Sequence, residues 1–225
     1  MIMRQPRQAK NAASAQPPRP PDELPSGRRE EKSADMRRRI CEGAVTCLAA
    51  QGYHRTSIKL IVDAASVSLG ALQHHFPSKE YLVEATAEYL LNRSVKWFQR
   101  AKLNIAKDKS AFGAMILKSW REQFTTEEYG ALLEILVAAR TDVSLRKRVA
   151  PMLDSWRRAI EAELRDLLPT NDDNAGELEA ILTIGRCMMT GLLVHDGLIG
   201  DAKHMRKVID AWISLATGYS RERPA

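Results

Sequence analysis

The chain has 225 residues, 44% hydrophobic and 28% charged, an ordinary globular balance with enough length for one medium domain or two small ones. No segment approaches the roughly 18 apolar residues that a membrane-spanning helix needs; the richest run, Cys187 to His195, is short and follows Arg186. The formal net charge of +6 is uneven, with thirteen basic against eight acidic residues in 1–80 and near balance thereafter, which excludes neither a nucleic-acid partner nor a merely soluble tail.

In chain order, residues 1–32 carry Pro6, Pro17, Pro18, Pro20, Pro21 and Pro25 among polar and basic residues. Nothing there forms an apolar face, so a disordered basic arm is expected, able to reach DNA through Arg28, Arg29 and Lys32. The N-terminus lacks the apolar stretch of a secretory signal, and a cytoplasmic protein is expected. A first helix is predicted from near Asp35 to Gln51, with Ile40, Ala44, Cys47 and Leu48 on one face. Gly52 suits its left-handed terminus. Thr56 or Ser57 caps a second helix that turns Ile58, Ile61, Val62 and Ala65 inward. Ser66-Val67-Ser68 then forms a turn, and Ser68 caps a third helix running to about His74, with Leu72 and Phe76 closing a small core. Pro77 stops it, and Ser78 caps the next. Two short helices joined by three residues make a helix-turn-helix, whose second helix enters the DNA major groove.

The remainder is predicted all-helical: Glu80 to about Ile105, then about 110–124, 127–140, 143–168, 174–196 and 203–220, with breaks at Lys107-Asp108, Thr125-Thr126, Thr141-Asp142, Pro169-Thr170 and Gly197–Gly200. Short polar connections imply a packed helical domain. The organisation expected is an arm at 1–32, a three-helix DNA-binding domain at 33–80 and a helical domain at 81–225. Three cysteines without metal-ligand spacing argue against a zinc site or disulfide framework. Cys41 and Cys47 are too far apart on one helix to bridge, and a redox-sensing role stays open for any of the three cysteines. No cofactor is implied.

The series Arg39-Ile40, Ala44, Gly52-Tyr53, Thr56-Ser57, Ile61, Ala65, Val67-Ser68, Gly70, Leu72, His75-Phe76, Ser78-Lys79-Glu80 and Leu82 resembles bacterial transcriptional regulators of the TetR type. The resemblance covers roughly residues 37 to 84. Within it, Ser66 stands where the family usually has glycine, Val62 where it has alanine, and Gln73 where a tyrosine commonly reaches a phosphate. The resemblance implies a repressor that binds double-stranded DNA and responds to a small-molecule effector. It places Lys59, Ser68, Leu69, Gly70, Ala71, Gln73, His74 and His75 facing DNA, with Thr56, Ser57 and Lys79 on the backbone. Leu69 and Ala71 suit thymine methyls, whereas Lys59, Gln73 and His74 are the polar readers. Adjacent histidines about 100° apart on a helix are poorly placed to share a metal.

The resemblance also implies an effector pocket in the second domain. Candidate lining residues are Met115, Trp120, Phe124, Leu132, Ile135, Leu136, Met152, Trp156, Met188 and Met189, an apolar and aromatic set, with Arg140, Arg186 and His195 as polar anchors. The last two helices, about 174–220, are expected to form a homodimer interface. Gly185 and Gly191 would let backbones approach there, and Ile181, Ile184, Leu192, Val208, Trp212 and Leu215 would supply apolar surface. An enzyme is the alternative from another class, but no nucleophile elbow, phosphate loop or paired-carboxylate spacing is present. A non-specific DNA-packaging protein would spread its basic residues more widely.

Overall fold

The structure, a computed structural model, describes residues 26–104, 110–165 and 175–219. The arm's residues 1–25 and the breaks at Lys107-Asp108 and Pro169-Thr170 lie outside that set. The described residues form helices only: α1 (Ser26–Arg55), α2 (Ile58–Ala65), α3 (Leu69–His75), α4 (Lys79–Leu103), α5 (Ala111–Ser119), a π-helical turn (Trp120–Phe124), α6 (Glu127–Thr141), α7 (Val143–Leu164), α8 (Ala175–Val194), α9 (Asp196–Ile199) and α10 (Ala202–Tyr219).

α1 begins at Ser26, so 26–32 are helical rather than part of an arm. The reason is local: the last proline is Pro25, and Arg29-Glu30-Glu31-Lys32 are good helix formers. The chain divides into two compact units, Met1–Asp35 and Met36–Ala225. The helical path of α1 breaks at Gly52, where φ is 76° and ψ 170°. Only glycine occupies that region without strain. A Cβ there would also stand 2.9 Å from the Glu134 carboxylate, which accepts the next backbone N–H, from Tyr53, at 3.2 Å.

α2 and α3 pack on α1 through Ile40, Ala44, Cys47, Ile61, Leu72 and Phe76, joined by Leu82 from α4. A second cluster ties Val45 and Leu48 of α1 to Val83, Leu90 and Leu91 of α4 and to Ala131, Leu132 and Ile135 of α6. Position 80 is therefore no break in packing. α4 runs from the helix-turn-helix straight into the helical body, where it lies along α7. The third cluster, with Phe112, Phe124, Leu178, Met189, Ile209 and Trp212, unites α5, the π turn, α8 and α10.

That third cluster corrects part of the expected dimer surface. Ile181, Leu192 and Trp212 are buried within the chain, and a Cβ at Gly185 would meet the Trp212 indole at 2.4 Å. Gly185 thus makes room for its own chain's tryptophan. Ile184 and Leu215 remain exposed at 57% and 72%, and Gly191 faces open space. The apolar run there is also longer than composition suggested. Leu178–Ile199 has mean hydropathy 1.3, long and apolar enough by those two criteria to cross a membrane, although Leu178, Ile181, Met189 and Leu192 pack in this core.

Burial pushes the Cys41 thiol up to about 11 and raises that of Cys47 as well. A thiol needs its thiolate to react, so neither residue suits redox sensing. Among the described residues no group of three or more His, Cys, Asp or Glu could hold a metal ion.

Replacing Gly52 by alanine should destabilise the fold by about 1–3 kcal/mol, read as a lower urea midpoint. An unchanged midpoint would mean that the left-handed break is dispensable.

Candidate nucleic-acid interface

The turn between α2 and α3 is built from serines. Ser57 caps α2, its hydroxyl accepting from the Leu60 N–H at 3.4 Å. At the other end Ser66 adopts φ 52°, ψ 50°, left-handed despite lacking glycine's freedom, which costs roughly 1–2 kcal/mol. Arg39 of α1 offsets this: its guanidinium donates to the carbonyls of Ala65 and Ser66, both at 3.2 Å. Ser68 then caps α3 by accepting from the Ala71 N–H at 3.1 Å. At the far end of α3, Arg37 donates to the His75 carbonyl at 3.2 Å and lies 4.6 Å from the Phe76 ring centroid. Cations suit helix C-termini, where carbonyls lack partners. Two arginines of α1 therefore hold the exits of both short helices.

α3 is inserted into the core by Leu72 alone, with Phe76 following. Ser68, Leu69, Gly70, Gln73 and His74 are exposed, and Ala71 and His75 partly so. Leu69 stands out, a large apolar side chain left 50% exposed. Lys59 and Ser57 on the neighbouring helix are exposed too. His75 is held below its ordinary pKa by partial burial, with the charges of His74 and Arg37 adding to the effect, so it is a neutral donor or acceptor at pH 7.

Two expected contacts are altered by this geometry. Thr56 is 2% exposed, and its hydroxyl donates to the Gly52 carbonyl at 2.8 Å, leaving nothing for a phosphate. Lys79 is partly buried. Its Nζ donates to the Tyr53 carbonyl at 2.8 Å and sits 4.4 Å from the Tyr53 ring centroid, and burial lowers its pKa. Ser78, expected to cap α4 with its side chain, instead donates to Glu80 at 2.5 Å. Arg37 and Arg39 escaped the sequence reading as functional residues. The available signal was a run of three arginines, Arg37 to Arg39, directly before the first buried residue of α1, Ile40.

Behind the helix-turn-helix, α4, α5, the π turn, α6, α7, α8 and α10 enclose a cavity of about 340 Å³. Of the residues expected there, Phe124, Leu132, Trp156 and Met189 line it. Met115 and Ile135 are fully buried in core clusters instead. Leu136 and Met152 pack against the α4–α6 cluster, and Trp120 and Met188 against the α5–α8–α10 cluster. Among the three proposed anchors only Arg186 lines the cavity; Arg140 and His195 are exposed. The wall missed in the sequence is that of α4, where Arg93, Ser94 and Trp97 recur at helical spacing. The π-helical turn, closed by the Thr125 N–H to Trp120 carbonyl bond at 3.2 Å, forms part of the same wall; such turns often mark functional sites.

A sequence profile described as bacterial regulatory proteins of the tetR family matches residues 40–86. An uncharacterised HTH-type transcriptional regulator of Mycobacterium bovis is 31% identical over 140 residues, spanning 62% of this chain and 69% of that protein. The chain belongs to the tetR family of bacterial regulatory proteins. The regulator is also 27% identical over 195 residues to the HTH-type transcriptional regulator CymR of Pseudomonas putida, covering 87% of this chain and 94% of CymR. Its fold matches that of a Saccharomonospora viridis protein solved in complex with choline, with a TM-score of 0.56 at 24% identity over 80% of this chain and 96% of that one. The regulator is thus an all-α helix-turn-helix protein.

If the Thr56 hydroxyl serves the fold, Thr56→Val should lower stability by about 1 kcal/mol in urea denaturation. An unaffected midpoint would return that hydroxyl to the DNA-facing set.

Proposed function

We propose that the protein is a transcriptional repressor that binds its operator as a symmetric dimer and lets go when a small, largely apolar effector enters the cavity. The observation that carries this is the face of α3, held by α1 at its exit and at the turn before it, with Leu69, Gly70, Gln73 and His74 left exposed among the described residues. Ser68, Leu69, Gly70, Ala71, Gln73, His74 and His75 would meet base edges and the nearby backbone; Lys59, which sits on α2 rather than on the reading helix α3, moves from base reader to phosphate contact beside Ser57. The excess of basic residues in 1–80 supports a polyanionic partner. Lys79 gives one of its three N–H donors to the Tyr53 carbonyl and would keep the others for the DNA backbone.

The exposed Ile184 and Leu215, one on α8 and one on α10, support a homodimer through these helices. Two copies would then set two α3 helices in successive major grooves, roughly 34–36 Å apart. The regulator is read as cytoplasmic and without catalytic activity or a cofactor.

A path for release runs through polar contacts. α6 carries Glu134, which holds the Tyr53 N–H, and the same helix lines the cavity with Tyr129 and Leu132. α7 carries Arg148, paired at 2.6 Å with Glu84 on α4 and 4.5 Å from the Tyr81 ring centroid, and it lines the cavity with Trp156. A ligand that favours one arrangement of α6 and α7 therefore biases where α4 carries α3. Because coupling is reciprocal, the ligand weakens DNA binding by the same factor that DNA weakens its own.

Lys59→Ala should weaken binding to every DNA sequence alike and flatten the log–log salt dependence by about one unit, measured by gel shift of a specific fragment against bulk DNA. Equal salt slopes for the variant and the parent would remove Lys59 from the interface, and no preference for any fragment would favour a packaging protein.

A further inference from the structure

The chemistry of the cavity wall goes further than "apolar". Four arginines and three glutamates line it, Arg93, Arg100, Arg157 and Arg186 against Glu122, Glu128 and Glu161. Each glutamate is already engaged. Glu122 accepts the Trp97 indole N–H at 3.1 Å, Glu128 pairs with Arg93 at 3.2 Å, and Glu161 pairs with Arg157 at 3.0 Å. Arg157 is saturated, since Asp154 and Glu179 share its guanidinium. Arg100 is exposed and donates to its own helix. Arg186 differs. It is half-buried, and among the described residues no carboxylate lies within ion-pair reach of it. Its guanidinium carbon sits 5.7 Å from the Trp156 ring centroid, and its charge acts on the buried Tyr129 hydroxyl.

Trp156 supplies the second observation. Its Nε1 is the one buried side-chain nitrogen or oxygen among the described residues with no hydrogen-bond partner. A buried donor left without an acceptor is costly and calls for a reason. An unbalanced guanidinium beside an unsatisfied N–H, in a cavity whose apolar wall includes Phe98, Phe124, Leu132 and Met189, asks for one negative charge attached to an apolar body.

We propose that the effector is a small carboxylate with an aromatic or branched apolar body, its acid group held by the Arg186 guanidinium and accepting from the Trp156 indole N–H. The fork of a guanidinium matches two carboxylate oxygens. The indole N–H is closed off from solvent, so a ligand oxygen reaches it through a small rotation of Trp156. That rotation moves a residue of α7, the helix that grips α4 through Arg148 and Glu84. The assignment rests on the repressor reading only for its consequence, release of DNA. The binding site itself stands on the wall chemistry.

The test titrates the full chain by calorimetry with three probes of one body: naphthylacetate, naphthylacetamide and naphthylmethyl-trimethylammonium. The acid should bind about tenfold or more tightly than the amide, as a charge-assisted contact replaces a neutral one. Arg186→Gln should bring the acid down towards the amide's affinity while weakening the amide far less, and the amide binding that remains shows that the cavity still folds. Arg186→Lys should keep part of the preference. Equal binding of acid and amide, tighter binding of the cation, an Arg186→Gln variant that still prefers the acid, or no binding of any probe at millimolar concentration overturns the proposal. Acid binding that leaves a DNA complex intact in gel shift would count against effector-driven release and leave the anion site standing.

Discussion

The pose of α3 hangs on the left-handed turn at Ser66. That residue takes φ 52° without glycine's freedom, so the backbone stores strain at the hinge between the two short helices. The Arg39 guanidinium, reaching across from α1 to two successive carbonyls, supports the strained conformer together with the turn's own bonds, from the Ser66 N–H to the Asp63 carbonyl and from the Val67 N–H to the Val62 carbonyl. With the turn held, Ser68 can cap α3 and Leu72 can anchor it, and the remaining side chains of α3 need not pack at all. A short helix with one buried residue would not be stable alone. Its outward face is left exposed because α1 bears the structural load.

The same economy shapes the connection to the rest of the molecule. Tyr53, just after the break at Gly52, is gripped from two sides, by Glu134 on its N–H and by Lys79 on its carbonyl. One grip comes from α6, a wall of the cavity, and the other from the first residue of α4. A lysine at a helix start is disfavoured by the helix dipole; here its partner carbonyl and the Tyr53 ring supply the compensation. The contacts that join the helix-turn-helix to the helices lining the cavity are polar, whereas the cores they join are apolar and resist continuous deformation.

How much of this was legible in the sequence follows from what periodicity can and cannot encode. The helix-turn-helix was legible residue by residue, because Ser57 and Ser68 are local caps and Ile61, Leu72 and Phe76 fall on one face. For Thr56 and Lys79 the sequence left the partner open, since a hydroxyl or ammonium can serve backbone or phosphate equally and only the fold shows which carbonyl lies within 2.8 Å. The cavity was legible only in part. Met115 and Ile135 share the spacing of Phe124 and Leu132, yet depth in a bundle is a tertiary property. Gly185 shows the limit most clearly: its need for close approach was legible, but its partner proved to be Trp212 of the same chain.

The central claim is that α3 is a rigid reading head presented twice by a symmetric pair. Selection of bound duplexes from a random pool by the purified protein tests this most directly. The account predicts enrichment of a two-fold symmetric site whose half-sites lie one helical turn, about 10–10.5 base pairs, or a multiple of it apart. Enrichment of an asymmetric site, or of none, would contradict it.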